Sequence, residues 1–500
     1  MPKVGRPVVC VVGAGTAGLE GILAARAELG AEAELRLIAP ESEFRYRPMS
    51  SSSPFRPARE RGLALGDLAA QAGVTWVEDR VDVVNEAERA VLTRDGDTVE
   101  FDFLLLAAGA RFRPAVRQGH VWERGADPSY LDQMILDIAA GEVRSVAVAV
   151  PRGVRWPLPA YELALVLAWS SSGSDTRVML ITAEEEPLAA LGREATDAVT
   201  RELVEAGVET IAGVEIVDEP WQDPRARERA KVILMPEEPT QGADALIGKP
   251  TDPARVRHGS GALFEFDRLI SLPTVLGPFL AGVATDAAGF VEVDQTLSVC
   301  GSERVWAAGG CIASALEVSA LGARQADSAI AAIAAASAGA LGAGAGTPPT
   351  APELTGVLMT GLRDQWLAQN PAGTRQPSTR CLWWPPGRAV GQMLARHIAA
   401  WDPAVQQTLP SLPGGVLVRV PIALGCSDRP SVRTGGQISA EEQLARLRDI
   451  DNRQLLAVRR RERASDAEIR ALSARLETLR AHEHAVVQEL QRHGYLHGHD

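Results

Sequence analysis

The run Val8-Val9-Cys10-Val11-Val12-Gly13-Ala14-Gly15-Thr16-Ala17-Gly18 decides the fold. Its first five residues are apolar and mostly β-branched, the pattern of a short buried strand. Three glycines follow at the G-x-G-x-x-G spacing, separated by Ala14, Thr16 and Ala17. Gly18–Leu29 then reads as a helix and Glu34–Ala39 as a second strand, and a βαβ unit of this kind builds parallel sheets. In this context each glycine has its own task. Gly13 permits the tight turn, Gly15 lets the backbone approach a pyrophosphate, and Gly18 lets helix and strand pack closely. The helix mouth meets the phosphates with unpaired N–H groups and the positive end of its dipole. A ligand-free glycine turn is the bland alternative, and three glycines at a helix start are costly for that purpose. An acidic residue is expected about 20 residues on, to bind ribose hydroxyls. Glu41, after Ile38-Ala39-Pro40, is the candidate, with a solvated loop glutamate as the alternative.

Working outward, Val74–Val84 and Thr98–Ala107 read as further strands, the second ending at Ala108-Gly109. A second α/β block runs from about Arg144 to Ile247, with strands at Val146–Val150 and Arg177–Thr182. Its helices are Tyr161–Ser170 and a long amphipathic one, Ala189–Ala206. From Leu263 the chain returns to the first domain and ends there in Ser298–Gly310 and the alanine-rich helix Ser319–Ala338. The expected fold class is therefore α/β, with two Rossmann-type dinucleotide-binding domains, a small C-terminal region and a helical, coiled-coil-like tail. The boundaries are 1–112 and 261–340 for the first domain and 113–260 for the second, with a linker at 341–352, a small domain at 353–430 and the tail at 438–493. In the tail, Ile469, Leu472, Leu476, Leu479, Val486 and Leu490 step by threes and fours, with Glu483 breaking the series.

The chain has 500 residues, about three domains at roughly 150 each. Lys and Arg total 51 against 64 Asp and Glu, a net charge of −13, which argues against nucleic-acid binding. Cys10, Cys300, Cys311, Cys381 and Cys426 form no C-x-x-C pair, so neither a zinc site nor a thioredoxin-type motif is expected. Reduced cysteines in a cytoplasmic setting fit best. Met1–Pro7 has no signal-peptide pattern. No strongly apolar run is long enough to span a bilayer, which leaves peripheral contact with a membrane's inner face open.

Two later segments carry a resemblance. Phe101-Asp102-Phe103-Leu104-Leu105-Leu106-Ala107-Ala108-Gly109-Ala110 is similar to the D-x-L-x-x-A-x-G strand of flavoproteins with two dinucleotide domains, and Val305-Trp306-Ala307-Ala308-Gly309-Gly310-Cys311 to their V-[FYW]-A-x-G-D motif. The segment ending Glu43-Phe44-Arg45-Tyr46-Arg47-Pro48, and Ser319–Ala332, resemble type II NADH dehydrogenases and sulfide:quinone reductases. Together these segments resemble the FAD-dependent pyridine nucleotide-disulfide oxidoreductases over about residues 7–425. The resemblance implies an FAD site built from Gly13, Ala14, Gly15, Thr16, Ala17, Gly18, Glu41, Pro48, Val81, Ala108, Gly109, Gly310, Cys311 and Ser319. It also implies that the helix from Ser319 points its N-terminus at the flavin pyrimidine.

The sequence departs from that pattern at three places. Gly310 stands where the family has the Asp that bonds the ribityl chain and pyrophosphate end of FAD. Losing such a charge-assisted contact costs about 1.5–3 kcal/mol, or one to two decades of affinity. Glu317 replaces a lysine near the flavin, and its negative charge is expected to lower the flavin potential or to end a redox role. The second domain lacks G-x-G-x-x-G. Its turn is Pro151-Arg152-Gly153-Val154-Arg155-Trp156-Pro157-Leu158-Pro159-Ala160, where prolines remove donors and Arg152 and Arg155 could hold phosphate by charge. Glu184 sits where an NADH ribose acceptor would sit, so NAD(P)H use is left open. No cysteine lies between Cys10 and Cys300, which argues against the cysteine-based sulfide mechanism.

The remaining features have bland readings beside sharper ones. Cys311 could face the flavin or be a small buried hydrophobe. Trp383-Trp384 could wall a quinone pocket or pack against the sheet, and packing is favoured. His482, His484, His493, His497 and His499 read as a polar end rather than a metal site, and no metal is expected. The expectation is an FAD-dependent oxidoreductase passing a hydride from NAD(P)H to flavin and electrons on to a quinone or other small acceptor, with no catalytic acid or base identifiable. The alternative is a catalytically degenerate scaffold that acts through its tail, as a homodimer or with a protein partner.

Overall fold

The computed structural model describes residues 6–45, 62–116, 119–123, 129–218, 230–236, 262–339, 353–360, 382–384, 391–399 and 415–427. Pro48, the 341–352 linker, the 438–493 tail and His482, His484, His493, His497 and His499 lie outside them.

The first third of the chain supplies β1 (Val8–Val12), α1 (Thr16–Leu29), β2 (Glu34–Ile38), β3 (Thr75–Val77), β4 (Val81–Asn85), β5 (Ala90–Thr93), β6 (Thr98–Glu100) and β7 (Phe103–Leu106). The middle supplies β8 (His120–Val121), α2 (Ser129–Ala139), β9 (Ser145–Val150), α3 (Leu158–Ser170), β10 (Arg177–Thr182), α4 (Arg193–Ala206), β11 (Glu209–Ile211) and β12 (Arg268–Ser271). Then come β13 (Val305–Ala307), α5 (Ser319–Ser337), β14 (Glu353–Met359), β15 (Trp383–Trp384), α6 (Gln392–Ile398) and β16 (Gly415–Pro421).

Two parallel sheets organise these elements. The first has the order β13-β7-β1-β2-β3, every neighbour parallel. Reversal of strand order on either side of β1 creates a crevice beyond the strand C-termini, where ligands of open α/β sheets bind. The chain rejoins the first sheet at Val305, whereas Arg268–Ser271, beyond the expected return at Leu263, still pairs in the second sheet. The second sheet has the order β8-β12-β9-β10-β11, again all parallel. Strands β4, β5 and β6 form an antiparallel meander, and β14 pairs antiparallel with both β15 and β16.

Three expected elements are broken. The 74–84 run turns after Val77, where the Asp79 N–H donates to Val77 O at 2.9 Å, so β3 and β4 join different sheets. Thr98–Ala107 breaks at Asp102, whose carboxylate accepts the Val8 N–H at 2.9 Å. That bond pins the start of β7 beside β1 and leaves β6 to the meander. The 189–206 helix is interrupted at Gly192, whose φ of +92° a helix cannot hold.

Helices α1 and α5 pack closely over the first sheet. A Cβ at Gly21 would come within 2.6 Å of Leu105 Cδ2 and 3.5 Å of the Ala326 methyl, so small residues set the separation of the two helices. The expectation of reduced cysteines is corrected at one pair. Cys300 and Cys426 form a disulfide across 126 residues, tying the segment after β16 to the turn before β13. Spacing alone does not reveal such a long-range partner. Among the described residues, no helix is long and apolar enough to cross a membrane.

Candidate functional site

The three motif glycines occupy three different environments. Gly13 has φ +101°, and a Cβ there would lie 2.3 Å from Ala107 O, so the turn from β1 admits glycine alone. A Cβ at Gly18 would lie 1.8 Å from Gly13 O, which is the close approach of helix to turn. Gly15 has no heavy atom within 4 Å of its Cβ position and is exposed. Its backbone is therefore open to a ligand. Helix α1 begins at Thr16 with Gly15 as N-cap, no side-chain cap and no acidic residue in its first turn. Its first N–H groups have no acceptor within the helix and present a positive dipole end to the crevice. Ala14 and Ala17 are buried beneath it.

The other predicted residues gather unevenly. Ala108 is exposed at the end of β7, and Gly109 follows in left-handed conformation with open space beside it. Glu41 lies in the exposed loop after β2, with its carboxylate 4.0 Å from Arg80. Val81 is buried in β4, so only its backbone can serve a ligand. Ser319 opens α5, whose N-terminus also has no side-chain cap. Cys311 is fully buried, with its thiol directed at Leu106 O and Ala308 O, each at 3.3 Å. Burial pushes that thiol up to about 12. The expectation that its side chain could face a flavin is therefore corrected: the thiol turns into the sheet, and the core-hydrophobe reading holds.

Gln325 was not foreseen. It is buried on α5, and its Oε1 accepts the Gly309 N–H at 2.9 Å. Its Nε2 is buried without a partner among the described residues, an orphaned donor beside the Gly309–Cys311 turn. Buried polar groups seldom stay unpaired without cause. With the open backbone at Gly15 and two uncapped helix N-termini, this donor makes the residues present fit a large anionic dinucleotide such as FAD.

Gly310, Glu317 and Arg155 meet at the same place. A Cβ at Gly310 would lie 2.6 Å from Glu317 Oε1 and 3.3 Å from the Ala110 N. The Arg155 carbonyl accepts the Glu317 N–H at 3.1 Å. The Arg155 side chain crosses from the second sheet's loop, donates to Ile312 O at 2.7 Å and stacks over the Phe290 ring at 3.3 Å. Burial pushes the Arg155 guanidinium down, and the charges of Glu317 and then Asp286 act against that. Arg155 is thus committed to the first domain, which corrects the expectation that it is available for a phosphate on the second. It also offsets the Glu317 charge that was expected to burden the flavin.

The second sheet's turn does not offer a dinucleotide cradle. Pro157 caps α3 and Pro159 lies in its first turn, so two backbone donors are missing there. Every residue from Leu158 to Trp169 is buried. Glu184, the proposed ribose acceptor, is already engaged. Its Oε2 accepts from Tyr161 Oη at 2.6 Å and Thr182 Oγ1 at 3.1 Å, and burial raises its pKa. Trp383 is buried and meets Trp156 edge-on at 5.4 Å, so it packs as expected. The neighbouring Leu382 N–H donates to the buried Glu162 carboxylate at 2.7 Å, closing the C-terminal segment onto α3.

Comparison with known proteins agrees with this geometry. Residues 7–134 match the sequence model of the pyridine nucleotide-disulphide oxidoreductases. Two curated relatives are NADH dehydrogenase-like protein Rv1812c of Mycobacterium tuberculosis (strain ATCC 25618 / H37Rv) and NADH dehydrogenase-like protein MT1860 of Mycobacterium tuberculosis (strain CDC 1551 / Oshkosh). Each is 29% identical over 229 residues, covering 42% of this chain and 56% of the relative. The chain therefore spans little more than half the length of these relatives. Among solved structures, the sulfide:quinone oxidoreductase of Aquifex aeolicus matches with a TM-score of 0.54 at 16% identity, over 71% of this chain and 80% of that one. That likeness is one of fold.

Proposed function

We propose that the chain is an FAD-dependent oxidoreductase that passes electrons from a small-molecule donor to a quinone or another small acceptor. The observation that carries this reading is the division of labour among Gly13, Gly15 and Gly18 at the uncapped mouth of α1. FAD, when bound, supplies the exchange of electrons between donor and acceptor. The chain's own residues hold and tune it. The N–H groups at Thr16 and Ala17 take the pyrophosphate, and Glu41 takes the adenosine ribose. Ala108 and Gly109 supply open backbone along the crevice, and the α5 N-terminus at Ser319 places positive potential at the flavin pyrimidine. Buried Cys311 takes no part in electron transfer.

The donor implied by the resemblance is NAD(P)H. Prolines at the head of α3 and the engaged Glu184 mean that a nicotinamide donor binds, if at all, without the usual clamp on its diphosphate and ribose. The test begins with the absorbance spectrum of the purified full chain, before and after incubation with FAD. Flavin bands that remain after gel filtration support the reading. A colourless protein that rejects FAD overturns it and favours the scaffold alternative. Anaerobic mixing of the flavin-loaded protein with NADH or NADPH then measures bleaching. The expected result is bleaching at least about tenfold less efficient than with an intact diphosphate clamp, and rapid saturable bleaching at micromolar nicotinamide would refute that account of the second domain.

A further inference from the structure

We infer that Glu317 performs the task of the acid missing at Gly310, with Arg155 anchoring its backbone and supplying a counter-charge; the inference rests on the FAD reading above. The two positions are seven residues apart in sequence, on opposite sides of the turn that precedes α5. The Glu317 Oε1 lies 2.6 Å from where a Cβ on residue 310 would be, with its Cδ at 3.0 Å. An aspartate at 310 would project its own carboxyl carbon about 1.5 Å beyond that Cβ. The Glu317 carboxylate thus lies within the reach of an aspartate carboxylate at 310. The same point lies 3.3 Å from the Ala110 N, at the rim of the crevice that Gly109 opens.

This juxtaposition explains two departures by one cause. A glycine at 310 leaves Glu317 its present position, because a side chain there would require the Glu317 carboxylate to move aside. A glutamate at 317 returns a hydrogen-bond acceptor to the place where the ribityl hydroxyls and pyrophosphate end of FAD are expected. Bringing that carboxylate close to a diphosphate would be unfavourable without a counter-charge. Arg155 supplies it. Its carbonyl accepts the Glu317 N–H at 3.1 Å, and its guanidinium is fixed by Ile312 O at 2.7 Å and by the Phe290 ring at 3.3 Å. Arg155 sits in the loop of the second domain that has lost its own phosphate-binding glycines. That loop is thus used to position a group of the first domain.

The test is FAD affinity of the full-length apoprotein, read by quenching of flavin fluorescence, with the melting temperature of each apo variant recorded beside it. Glu317→Ala is expected to weaken FAD binding about ten- to a hundredfold, the range for one charge-assisted contact. Gly310→Asp alone is expected to weaken binding as well, because two carboxylates then compete for one volume. The double variant Gly310→Asp/Glu317→Ala is expected to recover most of the wild-type affinity. Equal affinity of wild type and Glu317→Ala overturns the inference while leaving the FAD reading intact. Tighter binding by Gly310→Asp alone overturns it too, since the volume would then be vacant. A double variant that melts like wild type yet binds no better than Glu317→Ala also refutes it. A wild-type protein that takes up no FAD ends both this inference and the reading beneath it.

Discussion

Gly13, Gly15 and Gly18 share one motif but carry different loads. Gly13 and Gly18 are required by the polypeptide itself, because the atoms a methyl would strike are backbone oxygens. Gly15 has φ −74° and an empty surround, a conformation any residue adopts. Its glycine serves only what approaches from outside. Gly13→Ala is therefore expected to destabilise the apoprotein by about 1–3 kcal/mol or more, from strain in a left-handed turn, seen as a lower urea midpoint. Gly15→Val is expected to leave that midpoint within error and to reduce FAD affinity at least about tenfold, measured by fluorescence titration. If Gly15→Val instead unfolds the apoprotein, its glycine serves the fold and not a ligand. The steric demands at Gly13 and Gly18 were legible in the sequence because they follow from backbone geometry at fixed spacing.

At the scale of elements, the joint between α1, α5 and α6 carries a carboxyl pair, one member buried and the other half-buried. Glu20 is fully buried on α1, and its two oxygens accept the Met393 and Leu394 N–H groups at 2.8 and 2.7 Å. It thereby caps the start of α6, with Gly391 leaving room for it. Asp327 on α5 hydrogen-bonds to Glu20. Burial first, and then the charges of Glu20 and Glu28, hold its pKa up at about 7. An unfolded aspartate titrates near 3.9, so between about pH 4 and 7 the folded chain binds the extra proton. Stability should therefore fall as pH rises through that window and level off above it. Asp327→Asn stays neutral and can still donate to Glu20. Its urea midpoint is expected to change less between pH 5 and pH 8 than that of wild type, and an unchanged slope would show that Asp327 does not titrate there. The sequence hinted at this joint only through Glu20, a charge set among the apolar residues of Leu19-Glu20-Gly21-Ile22. Its partners lie some 300 and 370 residues away.

At the scale of the whole molecule, the C-terminal strands close onto the first sheet through a covalent bond. The Cys300–Cys426 disulfide spans 126 residues. Cross-linking a loop of that length removes unfolded-state entropy worth up to about 5 kcal/mol in the chain-entropy account. Dithiothreitol is expected to lower the melting temperature of wild type by several degrees. Cys426→Ser should start at that lower value and respond no further to reductant. Calorimetry with non-reducing peptide mapping checks this, and a wild-type melting curve indifferent to reductant would show that the bond adds nothing to stability. The same long-range closure seats Trp383 on Trp156 and Leu382 on Glu162, burying the head of α3.

The opening βαβ unit, the glycine turn and the alanine-rich helix α5 were legible in the sequence alone, because local periodicity and steric demand at fixed spacing leave few alternatives. Only the tertiary structure decided what became of the charged residues. It seated Glu317 over Gly310, drew Arg155 across from the second domain, turned Cys311 inward and occupied Glu184 with Tyr161. Each of these outcomes depends on which distant group arrives to satisfy a buried charge or donor, and no local pattern encodes that arrival.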